Sequence, residues 1–180
     1  MALKPTIYKF RIALTDMNRD HYDTLNLTVA LHPSETEERM MARVLAYCLN
    51  AHPQLQFTKG ISTTSEPDIW QQDLAGHNEL WIELGEPEVE RVKKATRLAD
   101  VVKVYTYQTK SDIWWQQNKG KLGYHSAEIV RFDPEAITAL AANPKRTVDL
   151  SVMITGHTVF VEGDLNSHEI NFDLLQALPD

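Results

Sequence analysis

Cysteine is nearly absent from this chain: Cys48 is the only one among 180 residues. No intramolecular disulfide can form, and a zinc site built on several thiolates is excluded. Cys48 lies in an apolar helical run, where a buried, inert thiol is expected. Long apolar stretches are missing too, and none approaches the roughly eighteen consecutive apolar residues of a membrane helix. The opening Met1-Ala2-Leu3-Lys4-Pro5-Thr6-Ile7-Tyr8 lacks the continuous apolar block of a secretion signal. These absences point to a protein of the cytoplasm, with no membrane partner.

Catalytic signatures are equally sparse. The chain has no G-x-x-x-x-G-K-S/T, G-x-G-x-x-G or G-x-S-x-G, so nucleotide-fold and serine-hydrolase classes lack their usual signals. Its seven histidines are scattered, with no H-E-x-x-H, which argues against a zinc hydrolase. Positive charge is in short supply, the net being −7, which disfavours broad non-specific binding to nucleic acid. The shortage is uneven. From Arg91 to Arg131 there are nine Lys or Arg against three acids, either a basic face or ordinary solvated surface.

What is present is strong patterning. Thr6–Thr15 and Tyr22–Leu31 alternate apolar and polar residues with period two and predict paired strands, with Asp16–Asp20 as the turn. The period then changes. Ser34 and Glu37 have capping-box spacing, and Met40, Met41, Val44, Leu45 and Cys48 predict a helix over 35–49. Short strands are expected at Glu66–Trp70 and Glu79–Leu84. Pro87 is suited to open a following helix carrying Val89, Val92 and Ala99. Val101–Tyr107 reads as a strand, and Ser111 as the cap of a helix over Asp112–Gln117. Strands at 128–132, 148–154, 159–162 and 169–172, with a short helix from Asp133-Pro134, complete the chain. The order ββ-α-ββ-α-β-α-β-α-βββ means α/β (α+β), a mixed sheet flanked by helices, in one domain over 1–180.

One constellation could carry chemistry. Asp68 lies in one expected strand, Glu83 ends the next, and Glu37 lies on the preceding helix. Carboxylates converging from strand ends are what a divalent ion such as Mg²⁺ needs for phosphodiester hydrolysis. Each has an ordinary alternative. Glu37 completes the capping box, Asp68 is a turn-edge aspartate, and Glu83 is a buried ion-pair partner.

Pro67-Asp68 followed by Glu83-Leu84-Gly85 resembles the PD-(D/E)XK signature of restriction-like nucleases. More widely, His32-Pro33-Ser34-Glu35-Thr36-Glu37-Glu38-Arg39, Leu80-Trp81-Ile82-Glu83-Leu84-Gly85 and Ile113-Trp114-Trp115-Gln116-Gln117-Asn118 resemble the YaeQ family of small bacterial proteins across nearly the whole chain. The resemblance implies a restriction endonuclease-like core with additional N- and C-terminal strands. It implies Asp68 and Glu83 as metal-binding and catalytic acids, with Glu37, or its neighbour Glu38, as the helix acid and third metal ligand. The signature lysine is replaced by Gly85. On the helix after it, Lys93 and Arg91 flank the apolar face and Lys94 points away, so Lys93 is the first choice of substitute and Arg91 and Lys94 the alternatives. Arg91, Lys94 and Trp115 are candidate nucleic-acid contacts, the last by stacking, although a tryptophan packed in the core is the commoner outcome. Two functions follow: a Mg²⁺-dependent nuclease, or a nuclease-fold module that binds nucleic acid or protein without cleaving.

Overall fold

The computed structural model describes residues 4–180, apart from the side chain of Ser62. In chain order the elements are β1 (Thr6–Asp16), β2 (His21–Leu31), α1 (Glu37–Leu49), β3 (Leu55–Phe57), β4 (Ile69–Gln72), β5 (Asn78–Leu84), α2 (Val89–Leu98), β6 (Ala99–Thr106), α3 (Ser111–Leu122), β7 (Ala127–Phe132), α4 (Pro134–Leu140), β8 (Thr147–Thr155), β9 (Thr158–Gly163) and β10 (His168–Gln176). A single 3-10 turn, Gly60–Ser62, lies between β3 and β4. Parallel and antiparallel pairs are mixed, as the element order predicts, and the chain divides into two compact units.

The first unit runs to Leu49 and resumes over Asp133–Phe172. β1 and β2 form a long antiparallel hairpin from Thr6↔Leu31 to Asp16↔His21. β8 lies parallel to β1 and antiparallel to β9, which pairs with the first part of β10. Strict alternation buries Phe10, Ile12, Leu14, Leu27, Val29, Val152 and Ile154 on one face. The hairpin turn is held by Asp16, whose Oδ1 accepts from the Asn18 and Arg19 amides while Oδ2 takes the Arg19 Nε–H at 2.7 Å.

Helix α1 starts two residues later than its periodicity suggests, and the expected capping box does not form. The Ser34 hydroxyl bonds His32 Nδ1 at 2.7 Å, and Thr36 is the cap, its Oγ1 accepting from the Arg39 amide at 3.2 Å. Glu37 is therefore the first helical residue and is only half-buried. The buried acid of this region is Glu35, which binds Arg43 at 2.7 Å and Arg39 at 2.8 Å. Arg43 also donates to the Ala30 carbonyl at 3.0 Å, tying the helix to β2. Cys48 is fully buried, and burial pushes its thiol up to about 12, so it is inert as expected.

The second unit comprises Asn50–Phe132 and Asp173–Asp180. Its strands follow the spatial order β7-β6-β5-β4-β3. β3, β4 and β5 form an antiparallel meander, and β5, β6 and β7 are parallel, connected through α2 and α3. Strand β3 is an addition to the predicted order, and Pro67 and Asp68 precede β4 rather than lying in it. Trp81, Val92, Val102, Val104, Trp114 and Ile129 build a core between the sheet and these helices. Helix α2 begins at Val89, two residues past Pro87, whose carbonyl accepts the Trp114 indole N–H at 3.2 Å. Ser111 is the first residue of α3 and does not cap it. Its hydroxyl is fully buried and accepts from Arg131 Nε at 2.7 Å.

Candidate functional site

The candidate site lies in the second unit, where β4 begins and β5 ends. The register Ile69↔Ile82 brings Asp68 opposite the end of β5. The Asp68 amide donates to the Ile82 carbonyl at 3.0 Å, and its Oδ2 accepts from the Leu84 amide at 2.8 Å. The carboxylate thus stands in for a strand carbonyl and brackets Glu83 from both sides. Pro67 suits this place because a missing N–H is tolerated just outside a strand.

Glu83 is 4% exposed and Asp68 3%. Glu83 Oε1 accepts two bonds, from the Trp81 indole N–H at 2.9 Å and from Arg91 Nε at 3.0 Å. Trp81 stands two residues earlier on the same strand, so period two puts both side chains on the helix-covered face. Burial raises the Glu83 pKa above the ordinary glutamate value. The Arg91 bond works against that rise, and the nearby negative charge of Asp68 adds to it. Two buried carboxylates thus lie side by side, with the Arg91 guanidinium bonded to one of them.

Arg91 occupies the first turn of α2, beside the buried Val92. Its Nη1 donates to the Thr64 carbonyl at 2.9 Å and its Nη2 to the Glu66 carbonyl at 3.0 Å. The segment between β3 and β4 is thereby held against the acids. Thr58 supports it, its Oγ1 donating to the Pro67 carbonyl and accepting from the Gly60 amide at 2.9 Å. A Cβ placed on Gly60 would approach Asp68 Oδ1 to 3.2 Å, so this backbone lies directly over that carboxylate.

Of the basic candidates, the structure brings Arg91 to Glu83. Lys93 is half-buried, and its ammonium forms no hydrogen bond or ion pair with a described residue; Lys94 is exposed, as the helical spacing predicts. Gly85 has φ of +98°, and its amide donates to the Tyr105 carbonyl at 2.8 Å. A Cβ there would meet no atom within 4 Å, so backbone conformation rather than space disfavours a side chain at this position. Trp115 is half-buried against the core that contains Trp114. Glu37 belongs to the first unit, and among the described residues no three His, Cys, Asp or Glu side chains are gathered to hold a metal ion. His77 and His32 do not serve the acids: His77 pairs with Asp100 at 2.8 Å beside the start of β5, the strand end remote from Glu83, and His32 bonds Ser34.

Sequence reasoning missed the strap formed by Thr64 and Glu66. Its one sequence signal is the Thr-, Ser- and Gly-rich stretch Thr58–Ser65, which marks an irregular segment without saying what it covers. No described helix is long and apolar enough to cross a membrane.

This arrangement can be set beside known proteins. A family model described as YaeQ protein matches residues 1–172. The chain is 38% identical over 178 residues to the uncharacterized protein YaeQ of Escherichia coli (strain K12), with 98% of each chain covered. It is 36% identical over 178 residues to the namesake from Salmonella typhi, again with 98% of each covered. The crystal structure of YaeQ protein from Xanthomonas axonopodis pv. citri superposes with a TM-score of 0.92 at 34% identity, covering 96% of this chain and 99% of that one. The structure of YaeQ protein from Pseudomonas syringae gives a TM-score of 0.92 at 33% identity, covering 96% and 97%. By match length, identity and fold together, the chain belongs to the YaeQ family.

Proposed function

We propose that the chain is a divalent-metal-dependent phosphodiesterase acting on nucleic acid, built on a variant PD-(D/E)XK site in which Arg91 takes the place of the signature lysine. The observation that carries the reading is the pair of buried carboxylates, Asp68 and Glu83, with a guanidinium 3.0 Å from one of them. The succession β4-β5-α2-β6 supports a restriction endonuclease-like core, since it has the strand–strand–helix–strand order that such a core requires. Oxygen donors suit Mg²⁺, which is commonly held by one or two carboxylates and completes its shell with water and phosphate.

Asp68 and Glu83 would hold the ion, with no part assigned to Glu37. When bound, such an ion lowers the pKa of a coordinated water and neutralises charge on the phosphoryl oxygens. Arg91 contributes a fork of N–H donors matched to phosphate oxygens once it leaves the Thr64 and Glu66 carbonyls. Lys94, exposed one turn along, adds a phosphate contact.

The test is cleavage of single- and double-stranded DNA and RNA with Mg²⁺ or Mn²⁺. Cleavage that Glu83→Ala and Asp68→Asn abolish supports the reading. A second reading, a nuclease-fold module that binds without cleaving, is favoured by the complete engagement of Arg91 and by glycine at position 85. Metal-insensitive binding with no cleavage of any of these substrates supports that reading and contradicts the first.

A further inference from the structure

We infer that the segment Thr58–Pro67 is a lid over the acid pair and that Arg91 is its latch, so that the closed lid and a divalent cation at Glu83 exclude one another. The inference rests on the metal-binding reading of Asp68 and Glu83.

Three observations carry it. First, both acids are almost wholly buried, at 3% and 4% exposure, so a hydrated ion or a phosphodiester reaches them only if something moves. Second, the backbone over Asp68 belongs to an irregular stretch. Between β3 and β4 it holds one 3-10 turn, and its Gly60 backbone sits within a Cβ's reach of Asp68 Oδ1. Its two ends bond each other, Thr58 to the Pro67 carbonyl and the Lys59 amide to Glu66 Oε2 at 3.2 Å. Third, one guanidinium serves both sides. Arg91 gives Nε to Glu83 and its two Nη groups to the lid carbonyls of Thr64 and Glu66.

The coupling follows from charge. A divalent ion on Glu83 repels the guanidinium from the same carboxylate at short range and low dielectric. Arg91 cannot swing away from Glu83 while its fork stays on Thr64 and Glu66, because the guanidinium is planar and its donors are fixed relative to one another. Metal entry therefore frees the lid, and the freed guanidinium becomes available to a phosphate. In the cation's absence Arg91 neutralises Glu83 and holds the site shut.

The lid carries its own reporter, since Lys59 is the only Lys or Arg between 58 and 67. Trypsin cutting after Lys59 and amide hydrogen exchange over residues 59–66 both read opening. In the wild type, Mn²⁺ should accelerate both. Arg91→Gln should open the lid without metal by roughly tenfold, the scale of one lost charge-assisted contact, and should bind Mn²⁺ more tightly by a similar factor in calorimetry. Circular dichroism checks that the variant folds, and exchange in the wild type with and without Mn²⁺ needs no variant at all. Mn²⁺ binding with unchanged exchange, or equal affinity in wild type and Arg91→Gln, overturns the latch and leaves the metal-binding reading standing. Absence of Mn²⁺ binding in both proteins overturns the metal-binding reading, and the latch with it.

Discussion

Arg91 Nε donates to Glu83 Oε1 across 3.0 Å while both of its remaining nitrogens are committed to carbonyls of a different segment. A helix side chain thus neutralises a strand-end acid and closes the loop above it. The Glu83 pKa is raised nonetheless, because burial and the Asp68 charge outweigh the arginine and the Trp81 indole.

A pH dependence follows from that raised value. Below the ordinary glutamate range both folded and unfolded forms carry the proton. Between the ordinary value and the raised one, only the folded form keeps it, so the folded protein binds more protons and its stability falls as pH rises through that window. Glu83→Gln retains an acceptor for Trp81 and cannot ionise. Its melting temperature relative to wild type should therefore rise as pH is raised across the window. A constant difference over the same pH range would remove burial as the cause.

Gly85 should resist substitution for conformational reasons. At φ of +98° any L side chain is strained, although no neighbour stands within 4 Å of a Cβ. Gly85→Lys should lose about 1–3 kcal/mol in denaturant unfolding. Gly85→Ala should lose nearly as much. If only lysine destabilises, side-chain charge rather than backbone strain sets the cost.

Glu35 and Arg43 form a buried pair, and loss of Arg43 leaves Glu35 with Arg39 as its remaining ion-pair partner at 2.8 Å. Arg43→Ala should therefore cost more than loss of an exposed ion pair but less than the roughly 3–5 kcal/mol of a wholly unpaired buried charge. Replacing both residues with apolar ones should recover much of that loss, which a double-mutant cycle by urea unfolding measures.

The cap of α1 separates two readings of one sequence. Thr36→Ala should cost about 1 kcal/mol, whereas Ser34→Ala should cost less. The reverse order in thermal melts would restore the Ser34-x-x-Glu37 box.

Most of the architecture was legible because β1, β2 and β8 alternate apolar and polar residues and α2 carries an apolar stripe. β3 was not, since three residues with one buried side chain hold too little pattern to register. The first turn of α1 misled because Ser34 and Thr36 can both cap, and only His32, two residues back, decides between them by engaging Ser34. The acids of the candidate site stood out as charged residues at the ends of apolar strands. Which base serves them did not. Arg91 and Lys93 flank the same apolar face of α2, and the choice depends on how far the helix start lies from Glu83, which no local pattern encodes. Glu35 was overshadowed by the adjacent Glu37 and Glu38, though its spacing to Arg39 and Arg43 was there to be read.

The most direct measurement is electron paramagnetic resonance of Mn²⁺ titrated into the wild type, Asp68→Asn and Glu83→Gln. The account predicts a bound-ion population in the wild type that either substitution reduces at least about tenfold, each removing one of two carboxylate ligands. Equal Mn²⁺ binding by all three proteins, or none by any, contradicts it.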